Sequence, residues 1–139
     1  MKFTERLVNF LIENKIKKTI VLPESNDIRV LEAALKITEL GFANIILIGN
    51  SDKIREIKND FDFNNITVID PLTFDRYDEL VNYLYELRKD KGMTLDNAKE
   101  ILKNYVYFGT MLVKVGIADG LVAGAMHSTA DILRPALQI

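Results

Sequence analysis

The sequence predicts an α/β fold of three layers, a mainly parallel sheet covered by helices on both faces. Short, continuous, β-branched apolar runs alternate along the chain with stretches of helical periodicity. Continuous apolar runs are how strands buried on both faces read, and strands separated by helices pair in parallel through crossovers. Composition agrees: of 139 residues, 48% are hydrophobic and 27% charged. One core is expected at this length.

Phe3, Leu7, Phe10, Leu11 and Ile16 recur three and four apart and predict a first amphipathic helix. Thr19–Leu22 is a compact strand stopped by Pro23, after which Ser25, Asn26 and Asp27 offer helix-capping side chains. Val30, Leu31, Ala34, Leu35 and Ile37 make the stripe of a second helix ending at Gly41. The second strand is Ala43–Ile48, closed by Gly49 and Asn50. Ser51 caps a short charged helix to about Phe61, and Ile66–Ile69 is the third strand, ending at Asp70 and Pro71. Residues 76 to 91 and 94 to 103 read as helices, the latter capped by Thr94. A more apolar helix from Tyr105 to Val115 stops at Gly116, before a fourth strand, Gly120–Ala123. Neither a repeat nor a flexible linker interrupts this order.

Several function classes are excluded by composition. A net charge of −2 and a pI near 5.4 argue against sequence-independent nucleic-acid binding, which needs a basic surface. No apolar run approaches the roughly 18 residues that span a bilayer, and the first residues lack the apolar core of a signal peptide, so a cytoplasmic protein with no membrane partner is expected. There are no cysteines and one histidine, so neither disulfides nor a metal site are expected.

In a parallel sheet, ligands collect where strand ends lead into helix starts. Four such edges follow: Pro23 to Ser25, Gly49 to Ser51, Asp70 to Pro71, and Gly124 to Thr129. Neither Gly-x-Gly-x-x-Gly nor a P-loop occurs, which removes support for dinucleotide binding and ordinary nucleotide hydrolysis. At the last edge the apolar run ends in Gly124 and Ala125, and His127-Ser128-Thr129 opens a new helix. Unpaired N–H groups at a helix start stabilise an anion, with Ser128, Thr129 and Arg134 as further donors.

Leu22-Pro-Glu24, Asp27 to Ala34, Val68 to Pro71, Tyr85 to Lys89, Lys91 to Leu95, Tyr107 to Met111 and Ala118 to Val122 are followed by His127-Ser-Thr-Ala-Asp131 and Leu133-Arg-Pro-Ala-Leu-Gln138. In that order, over essentially the whole chain, they resemble phosphate acetyltransferase. The last two blocks are the most specific. Ala123 stands where the family often has Ser, and Asp90 lies in a stretch usually more basic. The resemblance implies the phosphate acetyltransferase / isocitrate dehydrogenase-like fold, incomplete here. It implies reversible acetyl transfer between coenzyme A and inorganic phosphate, giving acetyl phosphate. Acetyl-CoA or coenzyme A is then a substrate, and no bound cofactor is expected. Arg88 and Arg134 correspond to two catalytic arginines that hold the phosphoryl group and neutralise developing charge. Ser128 and Thr129 contact phosphate or carbonyl oxygen. Arginine suits the task because its guanidinium stays charged and binds phosphate bidentately.

Plainer readings stand beside these. Arg88, with Lys89 and Lys91, also fits a basic helix end facing solvent. Arg134 fits a residue preceding a helix whose first position is Pro135. Ser128 and Asp131 form a pattern close to a capping box, compatible with ligand binding at the same loop. For His127 a general-base role is the less favoured reading. Tyr107, Phe108, Met111 and Leu112 read as core, and Glu24 and Asp27 as capping and surface groups.

Family members continue into a second α/β domain and then return to complete the first; the thiol-activating aspartate, its partner serine and a third arginine lie in those later parts. Residues 1–139 therefore read as the N-terminal part of the first domain of a longer two-domain enzyme, a fragment expected to be inactive alone and homo-oligomeric when complete. Two alternatives are a phosphate butyryltransferase-like enzyme and an acetyl-CoA-sensing domain such as occurs in some malic enzymes. A methionine right before the first family block favours the standalone enzyme over the sensing domain.

Overall fold

The computed structural model describes residues 2–139, with Met1 outside them. Helix α1 (Phe3–Glu13) is followed by β1 (Lys18–Leu22), α2 (Ile28–Leu40), β2 (Ala43–Ile48), α3 (Ser51–Ile57), β3 (Ile66–Ile69) and α4 (Tyr77–Arg88). A 3-10 turn, Lys89–Lys91, leads to α5 (Leu95–Ile101), α6 (Tyr105–Lys114), β4 (Gly120–Leu121) and α7 (Thr129–Gln138). The strands form one sheet in the order β3-β2-β1-β4, every neighbouring pair parallel.

Because side chains alternate along a strand, each strand divides its apolar residues between two layers. Val21, Ile46 and Ile48 point to one face, where they pack with Leu80, Val81 and Leu84 of α4, Ala98 of α5, and Phe108, Met111 and Leu112 of α6. Leu22, Ile45, Leu47 and Ile66 point to the other, against Leu31 and Ala34 of α2, Ile54 of α3 and Phe61. Two covered faces are the reason these strands read as continuous apolar runs. On the second face a groove of about 440 Å³ stays open between α2 and the β1–β4 flank, lined by Ile20, Leu22, Val30, Ile37 and Val122, with Glu24 at its border.

Helix α6 lies flush on the sheet because Gly109 has no side chain. A Cβ there would meet Leu121 Cδ1 at 2.8 Å and Val21 Cγ1 at 3.0 Å. Gly109→Ala is expected to lower stability, since overpacking costs about 1–3 kcal/mol and the helix preference of Ala over Gly, about 1 kcal/mol, offsets only part of it. Thermal melting checks this; an unchanged or raised Tm would show that α6 can lift off the sheet freely.

The structure differs from the sequence expectations at element ends. Asn50, not Ser51, caps α3, its side-chain oxygen accepting from the Asp52 and Lys53 amides, and the helix stops at Ile57 rather than near Phe61. β4 pairs only at Gly120 and Leu121, because the chain beyond turns toward Glu24. Pro135 is not a first helical position: it lies inside α7, buried, so Arg134 is a mid-helix residue. Helix α1 forms, yet Phe3, Leu7 and Phe10 of its apolar stripe remain exposed. Periodicity shows which residues share a stripe and not what covers it.

Candidate anion site at the β1–β4 crossover

The strand order decides among the four edges. From β1 the chain proceeds outward through β2 to β3, then returns to place β4 on the opposite flank of β1. Ligands of open parallel sheets bind where the strand order reverses, here beyond Leu22 and Leu121. That is where Glu24 and the segment 124 to 127 meet.

Glu24 is buried, 2% exposed. Its Oε1 accepts from the amides of Gly124 at 2.7 Å and Ala125 at 3.0 Å. Its Oε2 accepts from the amides of Met126 at 2.6 Å and His127 at 3.0 Å, and from His127 Nδ1 at 2.9 Å. Burial acts to raise the Glu24 pKa, but the His127 bond and the Met126, Ala125 and Gly124 amides outweigh it and bring the carboxyl down from 4.5 to about 2. From α2, Arg29 donates to the Ala125 carbonyl at 2.8 Å while bound to Asp27, which caps the same helix. Glu24 is thus not the surface or capping group its sequence position suggests. It already fills the amide cradle expected to bind a ligand anion.

The donors left for a ligand begin one step later. Ser128 caps α7 by accepting from the Asp131 amide at 3.2 Å, while Asp131 takes the Ser128 amide in return, a complete capping box. Ser128 and Thr129 are both exposed. The amides of α7 left without a capping partner therefore begin in its first turn at Thr129, with the Ser128 hydroxyl beside it.

Arg88 is the last residue of α4; its Nε is buried without a hydrogen-bond partner. Neighbouring Lys89 pairs with Glu86 and behaves as a solvated helix end, whereas Arg88 makes no ion pair among the described residues. Arg134, exposed on α7, makes none either among the described residues, nor does Arg6 on α1, while Arg29, Arg55 and Arg76 each hold a carboxylate. Burial raises the Tyr107 pKa, and the charges of Arg134 and Arg88 act against that rise. Both guanidiniums therefore lie within electrostatic reach of one phenol. Tyr107 Oη donates to Gln138 Oε1 at 2.9 Å, so this residue joins α6 to α7 in addition to its place beside the core.

The structure does not bring the expected site residues to one point: Ser128 and Thr129 stand at the start of α7, whereas Arg134 and Arg88 lie about Tyr107, whose hydroxyl bonds Gln138 at its end. Six residues separate Ser128 from Arg134, a rise of about 9 Å along α7, and helical side chains lean toward the N-terminus, which narrows the gap. Among the described residues, no group of three or more His, Cys, Asp or Glu could hold a metal ion, and no helix is long and apolar enough to cross a membrane.

Residues 2–139 match the family described as phosphate acetyl/butaryl transferase. The phosphate acetyltransferase of Thermoanaerobacterium thermosaccharolyticum is 50% identical over 123 residues, covering 88% of this chain and 38% of the relative. That of Acetivibrio thermocellus is 51% identical over 122 residues, covering 88% and 37%. Among solved structures, a phosphotransacetylase from Streptococcus pyogenes superposes with a TM-score of 0.86 at 40% identity, over 100% of this chain and 43% of that one. The EutD phosphotransacetylase from Staphylococcus aureus gives 0.85 at 43% identity, over 97% and 42%. The chain thus spans about two fifths of the length of these relatives. With a match over every described residue and the fold in common, the chain belongs to the phosphate acetyl/butaryl transferase family.

Proposed function

We propose that these residues form the N-terminal part of the first domain of a phosphate acetyltransferase, which moves an acetyl group between coenzyme A and inorganic phosphate. The observation that carries this reading is the placement of Arg88 and Arg134, which make no ion pair among the described residues, within electrostatic reach of Tyr107, whose hydroxyl ties α6 to Gln138 of α7. Two guanidiniums kept free of internal ion pairs suit a ligand bearing a phosphoryl group. The Thr129 end of α7 supplies partial positive charge for a second oxyanion position. Acetyl rather than butyryl transfer is favoured by the curated relatives near 50% identity, which are phosphate acetyltransferases.

On this reading the partners are acetyl phosphate, phosphate and coenzyme A, with coenzyme A or acetyl-CoA as substrate and no bound cofactor. The setting is cytoplasmic, with neither nucleic acid nor membrane as a partner, and the complete enzyme is a homo-oligomer. The test is formation of acetyl-CoA from acetyl phosphate and coenzyme A by the complete protein, with butyryl phosphate in parallel. Acetyl transfer at least tenfold faster than butyryl transfer is expected; the reverse order would assign the chain to the butyryl branch. Residues 1–139 alone are expected to be inactive. Turnover within tenfold of the complete protein, a barrier difference of about 1.4 kcal/mol, would show that all catalytic groups lie in this part.

A further inference from the structure

We infer that Glu24 holds His127 in one tautomer, and that His127 Nε2 is the acceptor by which this site recognises the proton of hydrogen phosphate. The inference rests on the reading of this edge as a phosphate site. His127 Nδ1 stands 2.9 Å from Glu24 Oε2. A buried carboxylate with its pKa near 2 accepts hydrogen bonds and donates none, so the proton of a neutral His127 ring belongs on Nδ1. Nε2 then carries a lone pair. The Glu24 side chain is 2% exposed and that of His127 32%, so the ring's engaged edge is inward and its other edge faces the surface. Nε2 makes no hydrogen bond among the described residues. His127 directly precedes the Ser128 cap and Thr129, where the free donors of α7 begin.

The chemistry of the remaining groups gives this lone pair its significance. The Thr129 amide and Arg134, further along α7, can only donate, and the Ser128 and Thr129 hydroxyls turn to donate or accept as a ligand requires, so such donors bind any tetrahedral dianion and Nε2 is the one fixed acceptor among the groups named here. Hydrogen phosphate and sulfate share shape and, at mildly alkaline pH, charge; they differ in one P–OH proton. An acceptor lone pair satisfies that proton, whereas facing a sulfate oxygen it leaves two acceptors opposed. Glu24 acts in this as a positioning residue, because it fixes both the ring nitrogen and the four loop amides that carry it.

The experiment compares phosphate and sulfate binding to the complete protein by calorimetry at mildly alkaline pH, for wild type, His127→Asn and His127→Gln. Asn can keep a donor toward Glu24 while offering nothing at the Nε2 position; Gln can place an amide oxygen near Nε2. Wild type is expected to favour phosphate by tenfold or more. His127→Asn should bring the ratio within about threefold, with sulfate affinity retained and Tm near wild type, and His127→Gln should keep a larger part of the preference. An unchanged ratio in a folded His127→Asn protein, or wild type that does not discriminate, overturns the inference. If Asn prevents folding, loss of the preference in His127→Gln as well overturns it. Acetyl transfer is measured separately. Absent transfer with an intact, His127-dependent preference would remove the acetyltransferase reading alone; normal transfer with no such preference would remove this inference alone.

Discussion

Replacing Arg88 or Arg134 by Ala in the complete enzyme is expected to lower the rate of acetyl transfer by about 10²–10³-fold, the loss of about 2.7–4 kcal/mol that follows removal of one preorganised donor to a developing oxyanion. Among the described residues neither side chain has a carboxylate partner to lose, and Arg134 is exposed. The fold should therefore survive both changes, with Tm within a few degrees of wild type. Lys at either position should restore only part of the rate, because a point charge on a flexible stem lacks the planar fork. Steady-state kinetics with acetyl phosphate and coenzyme A, alongside melting curves, make the check. Turnover within threefold of wild type in either Ala variant would return that arginine to the role of a solvated helix residue.

A second large effect is expected at Glu24. Removing one partner of a buried, hydrogen-bonded charge costs about 3–5 kcal/mol, a large share of the 5–15 kcal/mol that holds a typical domain together. Glu24→Ala leaves the amides of Gly124, Ala125, Met126 and His127 without their acceptor. Glu24→Gln keeps the shape and one acceptor, but turns an NH2 group toward N–H donors. It should therefore be nearly as damaging. The pH dependence has a definite sign. Because the folded carboxyl has its pKa lowered from 4.5 to about 2, its contribution is fully present above about pH 4.5 and is lost as the pH falls toward about 2. Melting curves of wild type and Glu24→Ala should be far apart at neutral pH and converge across that window. A gap that stays constant with pH would mean that side-chain volume, and not charge, is what the cradle needs.

Elements whose evidence is local were legible in the sequence. Thr94 with its capping box, Asp27 capping α2 and Gly41 closing it with a φ of 78° follow from side chains that act within a few residues. Asn50 and Ser51 are both good caps, and only backbone geometry chooses between them. The layer assignment of Val21 against Leu22 follows from alternation once strands are recognised. Strand order was not legible, because a crossover can return to either flank, and with it went the reason why one of four edges stands out. Glu24 was missed for the same reason: its partners lie 100 to 103 residues away. One signal was present, the glycine at 124 directly after a strand, whose φ of 127° belongs to the turn that presents the following amides to Glu24. The sequence predicts an external anion for those amides, whereas the chain carries its own in Glu24. For Tyr107 the helical spacing predicts core, because spacing reports the buried side of a ring and is silent about its hydroxyl, which bonds Gln138.

The Glu24 bridge also bears on how the molecule assembles. The four amides of 124 to 127 belong to a surface loop, a class of backbone that normally exchanges its hydrogens with water almost freely. Here each is tied to a residue at the far end of the chain's first strand, so none can be shielded until β1 and β4 lie side by side. Contacts between such distant residues carry a large loop-closure entropy and form late. This loop therefore reports on the whole sheet: its amides should open at the rate of global unfolding, as core amides do, while the neighbouring exposed helix surface exchanges through local fraying.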